Sequence, residues 1–218
     1  MFALLSIKKQ SLVDMVYEKL REAIIQLQIP LGSKLNVNEL QSKMGVSCTP
    51  LREAINRLQQ EGLVVYETNV GAHVISLEPH DVLEIQQLAM TLHGAAIRLA
   101  MVNGSRGVIV PELRQRLEEY TNARTEHDEV MAVKEFIGTF YHNCGNRRLD
   151  RHMLAIQGQQ TLLRYIYASC LHERAADVEV FHEMLLDTIN GDANAVCDTL
   201  QRFTDRMTRV VEAAVTEL

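Results

Sequence analysis

One stretch in the first third of the chain constrains the fold more than any other. Asn36 stands three residues ahead of Glu39 in a capping-box-like arrangement, Leu40 and Met44 share one face, and Gly45 supplies a stop, so a helix of about two turns is predicted. After Gly45 and Val46 comes SCTPLREAINRLQQEG, in which Ser47 or Thr49 caps and Pro50 lies in the first turn, where a missing amide hydrogen costs little. Leu51, Ile55 and Leu58 form the buried stripe of this helix, with Ala54 beside them, and Gly62 ends it. LVVYE, TNVG and AHVIS then read as two short strands around a turn with Gly71 at its tip. Upstream, Ser11 is placed to cap a helix reaching about Gln28, with Leu12, Met15, Val16, Leu20, Ile24 and Leu27 at helical spacing, ended by Pro30 and Gly32. Helix, helix, helix and hairpin make a winged helix-turn-helix.

Beyond residue 77 only helices are predicted, over about 81–102, 110–126, 128–143, 147–170, 174–190 and 192–216. Breaks fall at Asn103-Gly104, at His127, at Gly145-Asn146, around Leu171 to Glu173, and at Asn190-Gly191-Asp192. The fold class is therefore mainly α: a winged helix-turn-helix over residues 1–77, then an all-helical antiparallel bundle of about six helices over 78–218. The boundary is expected near Glu78-Pro79-His80, where Pro79 interrupts the hairpin pattern and Asp81 is placed to cap the first bundle helix. With 218 residues, 47% of them hydrophobic, the chain is long enough for two small cores, and 5% aromatic content favours helices over a sandwich or barrel.

The net charge of −6 argues against indiscriminate polyanion binding, but it is unevenly divided. Residues 1–77 carry 8 basic and 7 acidic side chains and the remainder 14 and 21, so nucleic-acid contact belongs in the first third. The four cysteines, Cys48, Cys144, Cys170 and Cys197, lack paired spacing and read as reduced thiols. No apolar run approaches the roughly 20 residues of a membrane span, and MFALLSIKKQ reverses the charge order of a secretory signal. A cytoplasmic protein without membrane contact is expected.

In a helix-turn-helix the second helix of the pair enters the major groove with its N-terminal residues against base edges. Cys48, Thr49, Arg52, Asn56 and Gln60 recur at spacings of three to four, away from the apolar stripe. Arg52 lies one turn in and is long enough for a bidentate contact with guanine. Lys34, Lys43, Ser47 and Arg57 are candidate phosphate holders, and Gly71 with His73 is the candidate wing element. For Arg52→Ala the expected loss of operator binding is about 1–3 kcal/mol, with the fold intact.

The segment MGVSCTPLREAINRLQQEGLVVYETNVGAHV, residues 44–74, resembles the winged-helix signature of the GntR family of bacterial transcriptional regulators. Ser47, Thr49, Pro50, Arg52, Glu53 and Ala54 match the family pattern, and a looser match runs from Leu12 through LGSKL. Two positions depart from it: Cys48 replaces an arginine usual between Ser and Thr, and Asn38, also a candidate DNA contact, stands where FadR-like members often have another. The family's operator is therefore not transferable, and Arg52 becomes the principal base reader, with Thr49 and Asn56 as helpers.

The helical remainder resembles the FadR C-terminal (FCD) type through the Asp81-to-Ala100 helix, NCGNRRL at 143–149 and FHEMLLDTINGDANA at 181–195. The resemblance implies a small organic acid bound inside the bundle, in many members through a metal held by one Asp and three His. Carried over residue by residue, those ligands fall near Val133, Ile137, His182 and Phe203, so one of the four survives, too few for a cation. Ala89 and His93 stand where arginine and glutamate are common. His93, His142 and His182, with Arg164 and Tyr141, are the candidate effector-binding residues. Three readings stay open for them: a three-histidine metal site, a metal-free pocket for a neutral or weakly acidic ligand, and a vestigial pocket.

No Gly-rich phosphate loop, G-x-S-x-G elbow or H-E-x-x-H occurs, so neither catalysis nor a cofactor is expected. The chain reads as a homodimeric regulator, because two heads related by a twofold axis read a palindrome that one head cannot. The rival is a small helical metalloprotein or metalloenzyme using the bundle histidines.

Overall fold

The computed structural model describes residues 11–68, 70–170 and 174–217. They form two compact units, divided between Ser76 and Leu77. The first contains α1 (Leu12–Ile25), α2 (Val37–Met44), α3 (Cys48–Gln60), β1 (Val64–Glu67) and β2 (Gly71–Val74). The second contains α4 (Pro79–Asn103), α5 (Arg106–Asn122), α6 (Glu126–Asn143), α7 (Arg147–Ser169), α8 (Arg174–Asn190) and α9 (Ala193–Glu217).

In the first unit Ser11 caps α1 in a reciprocal box with Asp14. The buried face is Val16, Tyr17, Leu20, Ile24 and Ile25, while Leu12 and Met15 of the expected stripe are 47% and 45% exposed. The helix also ends earlier than expected, because Leu27 turns left-handed (φ 57°) and the Ile29 amide closes onto the Ala23 carbonyl at 3.0 Å. Against α1 packs α3, whose Leu51, Ala54, Ile55 and Leu58 are all buried. Burying this stripe leaves the opposite face of α3 to solvent.

Asn36 caps α2 by accepting from the Asn38 amide at 3.0 Å, and Ser47 takes the N-cap position of α3. Between the helices Gly45 adopts φ 66°, the left-handed conformation that ends α2 and lets the N-cap of α3, Ser47, follow two residues later. The space around its missing Cβ is empty, so only backbone strain opposes a side chain there. Gly45→Ala is expected to destabilise the first unit by about 1–2 kcal/mol, the usual cost of a left-handed non-glycine residue; a urea unfolding curve checks it.

The wing pairs β1 with β2 antiparallel, Val64 opposite Val74 and Glu67 opposite Gly71. Gly71, at φ 107°, thus opens the second strand instead of occupying the tip; the Asn69 corner lies outside the described residues. The chain before α2 adds a partial third rung: Leu35 donates to the Ala72 carbonyl at 2.8 Å and Lys34 bridges to His73. This ties the wing to the start of the helix-turn-helix.

The second unit is a helical bundle with three boundaries displaced from the sequence reading. Glu78 is the N-cap of α4 and Pro79 its first residue, while Asp81 reaches back from the third position to the Glu78 amide at 2.8 Å. Helix α5 starts at Arg106, so Pro111 lies inside it; the extra turn seats Ile109 fully in the core. The break expected at His127 falls earlier, at Ala123 and Arg124, where Thr125 caps α6 with Asp128 and leaves His127 helical. The break expected at Leu171 to Glu173 lies outside the described residues.

Phe181 of α8 anchors the core, with ring centroids of Tyr120, Phe136 and Phe203 at 5.2, 5.0 and 5.0 Å. Helix α7 is buried on every side from Gln160 to Tyr167, so the polar residues of that stretch face other helices instead of water.

Candidate DNA-binding face and effector cavity

The exposed side of α3 and the wing enclose a groove of about 710 Å³, lined among others by Lys34, Arg52, Asn56, Gln59, Tyr66 and Gly71. Arg52, Asn56 and Gln59 are four and three residues apart along α3, so they form one exposed strip about a quarter turn from the buried Leu51 and Leu58, with Ile55 at the edge where the strip meets the core. Lys34 brings a flexible cation to the same groove, and Tyr66, 63% exposed on β1, brings an amphipathic ring. The sequence reading missed Gln59 and Tyr66. Gln59 was accessible from its seven-residue spacing to Arg52, whereas Tyr66 had no local signal because its orientation depends on the hairpin docking beside α3.

The remaining candidates spread around this groove. Ser47 and Thr49 are exposed at the start of α3, and Asn38 and Lys43 are exposed on α2. Cys48 is half-buried and its thiol donates to Gln41 Oε1 at 2.9 Å, closing the helix-turn-helix joint. His73 is half-buried within β2, with its Nδ1 buried and unpartnered. Arg57 points toward α1 instead: its guanidinium stacks 3.8 Å from the Tyr17 ring centroid and pairs with Asp14 at 2.7 Å. Arg57 lies five residues from Arg52, which on a helix puts it on a different face.

In the helical unit a cavity of about 330 Å³ opens between α4, α6 and α7. His93, Tyr141, His142 and Arg164, four of the five candidate effector residues, line it together with Lys134, Glu135, Ile137, Gly138, Asp150, Met153, Leu154 and Gln157. His182 is the exception: it is exposed on α8, one residue past Phe181, and the expected His93–His142–His182 cluster does not form. The inward face of α8 is taken by Val180, Phe181, Met184, Leu185 and Thr188.

At the bottom of the cavity His93 Nδ1 and the Tyr141 hydroxyl are 3.0 Å apart. Burial, reinforced by the Arg164 charge, lowers His93 to about 3, so the imidazole is neutral at physiological pH. Burial pushes the Tyr141 phenol up and lowers Arg164 to about 10, leaving a neutral phenol and a charged guanidinium. His93 also has a signature in stability. Its folded pKa lies below the unfolded value near 6.5, so its contribution is complete above pH 6.5 and is lost as pH falls toward 3. Between pH 6.5 and 4.5, before the carboxylates protonate, stability of the full chain should fall by up to about 1.4 kcal/mol per pH unit, and His93→Gln should flatten that slope. Urea unfolding at a series of pH values measures it.

A larger groove of about 610 Å³ runs along α4 and α9, but its charged residues Asp205, Arg209 and Glu212 are exposed or half-buried. The metal set implied by the family resemblance does not fit this chain. Val133, Ile137 and Phe203 are buried hydrophobics without donor atoms, His182 faces outward, and no three His, Cys, Asp or Glu among the described residues converge on one point.

A winged helix-turn-helix with a cation-bearing groove, followed by a helical bundle around a polar-bottomed cavity, defines a ligand-responsive DNA-binding regulator. The comparisons agree. Residues 12–74 match the family profile described as bacterial regulatory proteins, gntR family, and residues 84–206 match the FCD domain. The chain belongs to the GntR family, in its branch with an FCD effector-binding domain.

Among its relatives is an uncharacterized HTH-type transcriptional regulator from the TAR-I ttuE-ttuC' intergenic region of Agrobacterium vitis, 33% identical over 125 residues, covering 56% of this chain and 73% of that protein. The Nta operon transcriptional regulator of Aminobacter aminovorans is 26% identical over 86% of this chain and 90% of its own length. Two solved structures share the fold. A transcriptional regulator of Rhodococcus sp. RHA1 has a TM-score of 0.72 at 18% identity, covering 91% of this chain and 96% of that one. E. coli McbR/YncC has a TM-score of 0.73 at 20% identity, covering 92% and 97%.

Proposed function

We propose that this chain acts in the cytoplasm as a homodimer that binds a palindromic operator and releases or tightens on it when a small molecule enters the cavity between α4, α6 and α7. The observation that carries the DNA half is the convergence of Arg52, Asn56, Gln59, Lys34 and Gly71 on one groove beside a helix whose other side is buried. Arg52 reads a guanine edge; Asn56 and Thr49 assist it; Lys34, Lys43 and Ser47 hold phosphates, with Asn38, Cys48 and His73 at the margin. Arg57 supports α3 from behind.

The activity is binding, and its regulation follows from linkage. An effector changes operator affinity only as far as it binds one DNA-binding state better than the other. Anisotropy of a labelled duplex from the protein's own promoter region, titrated at several salt concentrations, tests the operator claim. A specific duplex bound much more tightly than a scrambled one supports it, and equal binding of both refutes it. Sedimentation of the complex with two chains per duplex supports the dimer; one chain per duplex refutes it.

A further inference from the structure

Arg164 is the least explained side chain in the helical unit. It is 8% exposed, its Nε is buried without a hydrogen-bond partner, and no carboxylate among the described residues pairs with it. A buried guanidinium is ordinarily matched by an acid, because an unpaired charge away from water is strongly unfavourable. Arg164 lines two spaces, the effector cavity and a void of about 10 Å³ that is too small for a ligand. That void is walled by Val133 and Phe203, and the cavity by Ile137. These are the three positions where the family resemblance puts metal ligands and this chain has hydrocarbon. Arg164 lines both spaces, so this chain sets one positive charge beside three hydrocarbon side chains.

We infer that this cavity is a metal-free receptor for a small, singly charged organic anion, whose carboxylate seats against Arg164 and whose body lies along Ile137, Gly138, Met153 and Leu154. The inference rests on reading the bundle as an effector-binding domain. Arg164 offers planar donors that match a carboxylate, and Tyr141 and His93 stand beside it as neutral polar partners. The rim sets the charge limit. Glu135 and Asp150 line the cavity, and Lys134 is drawn to Glu135 at 3.6 Å, so a second anionic group on the ligand meets carboxylates. The volume, about 330 Å³, is at the small end for ligand cavities.

The test uses the full chain with EDTA present throughout and reads its melting temperature and, by calorimetry, its affinity. The probes, at millimolar concentration and matched ionic strength, are hexanoate and benzoate, their amides hexanamide and benzamide, and the dianions succinate and phthalate. At least one monocarboxylate is expected to raise the melting temperature, with its amide and the dianions weaker by about tenfold or more, the usual effect of losing a charged hydrogen bond. Arg164→Met should lose that preference while melting no lower than the parent without ligand, since it removes an unpaired buried charge. Arg164→Lys, which keeps the charge, should retain a reduced preference, and it replaces the methionine variant if that one fails to fold. Amides matching acids, dianions outperforming monoanions, no shift from any carboxylate, or a shift that appears only after a divalent metal is added would each overturn the inference. Duplex binding is read in parallel: an unaltered anion response with no operator binding sinks the regulatory reading alone, and the reverse sinks only the anion site.

Discussion

Arg52→Ala is expected to weaken operator binding by about 1–3 kcal/mol for each Arg52 that contacts the duplex, the worth of a bidentate base contact. The side chain is exposed and lines the groove between α3 and the wing, so its removal leaves the Leu51, Ala54, Ile55 and Leu58 packing untouched. The far-ultraviolet spectrum and melting curve should therefore match the parent, while anisotropy on the promoter duplex shows the loss. Specificity is the sharper readout. Binding to the cognate duplex should drop toward the level of a scrambled one, whereas Lys34→Ala should weaken both alike and lessen the salt dependence. Arg57 supplies the contrast. It is held against Tyr17 and Asp14, so Arg57→Ala should leave discrimination between duplexes unchanged. Unaltered discrimination by Arg52→Ala would remove it from the reading role.

The second large effect lies in the bundle. Asp177 is fully buried; Arg206 pairs with it at 2.7 Å, and the Tyr167 hydroxyl donates to its other oxygen at 2.7 Å. Tyr120 reaches that same oxygen at 3.4 Å, and burial together with the nearby carboxylate pushes both phenols up. Asp177→Ala removes the carboxylate that Arg206, Tyr167 and Tyr120 share, which should destabilise the helical unit by about 3–5 kcal/mol. Arg206 is partly open to solvent, with a side-chain exposure of 28%, so the lower part of that range is expected. Urea unfolding of the full chain measures the change. Asp177→Asn, which keeps an acceptor for Tyr167, should cost less, and a loss below about 1 kcal/mol for the alanine variant would show that the pair is not a structural support.

Much of the DNA-binding unit was legible because its signals are local. Capping side chains, the left-handed Gly45 and the three-to-four spacing of apolar residues in α3 each act within a few residues of themselves. The polar face of α3 follows from the same spacing, which is why Arg52 and Asn56 are legible as a pair that lines the groove. Tyr66 is not, since a strand residue's neighbours are set by what the strand docks against. In the bundle, periodicity located the helices, but their ends moved wherever packing outweighed a local rule. The spacing places the start of α5 near residue 110, yet burial of Ile109 pulls it back to Arg106.

The sequence by itself determined the order of elements, the division of charge between the two halves, and the loss of a metal-ligand set, since Val133, Ile137 and Phe203 have no donor atoms wherever the chain puts them. Only the tertiary structure decided which polar residues meet. His93, Tyr141 and Arg164 lie on three different helices and converge on one cavity, whereas His182, equally plausible by residue type, faces solvent. The physical reason is that helical periodicity fixes a side chain's direction only relative to its own axis. Which partner it finds, and whether its charge is left unmatched as that of Arg164 is, depends on how helices distant in sequence pack together.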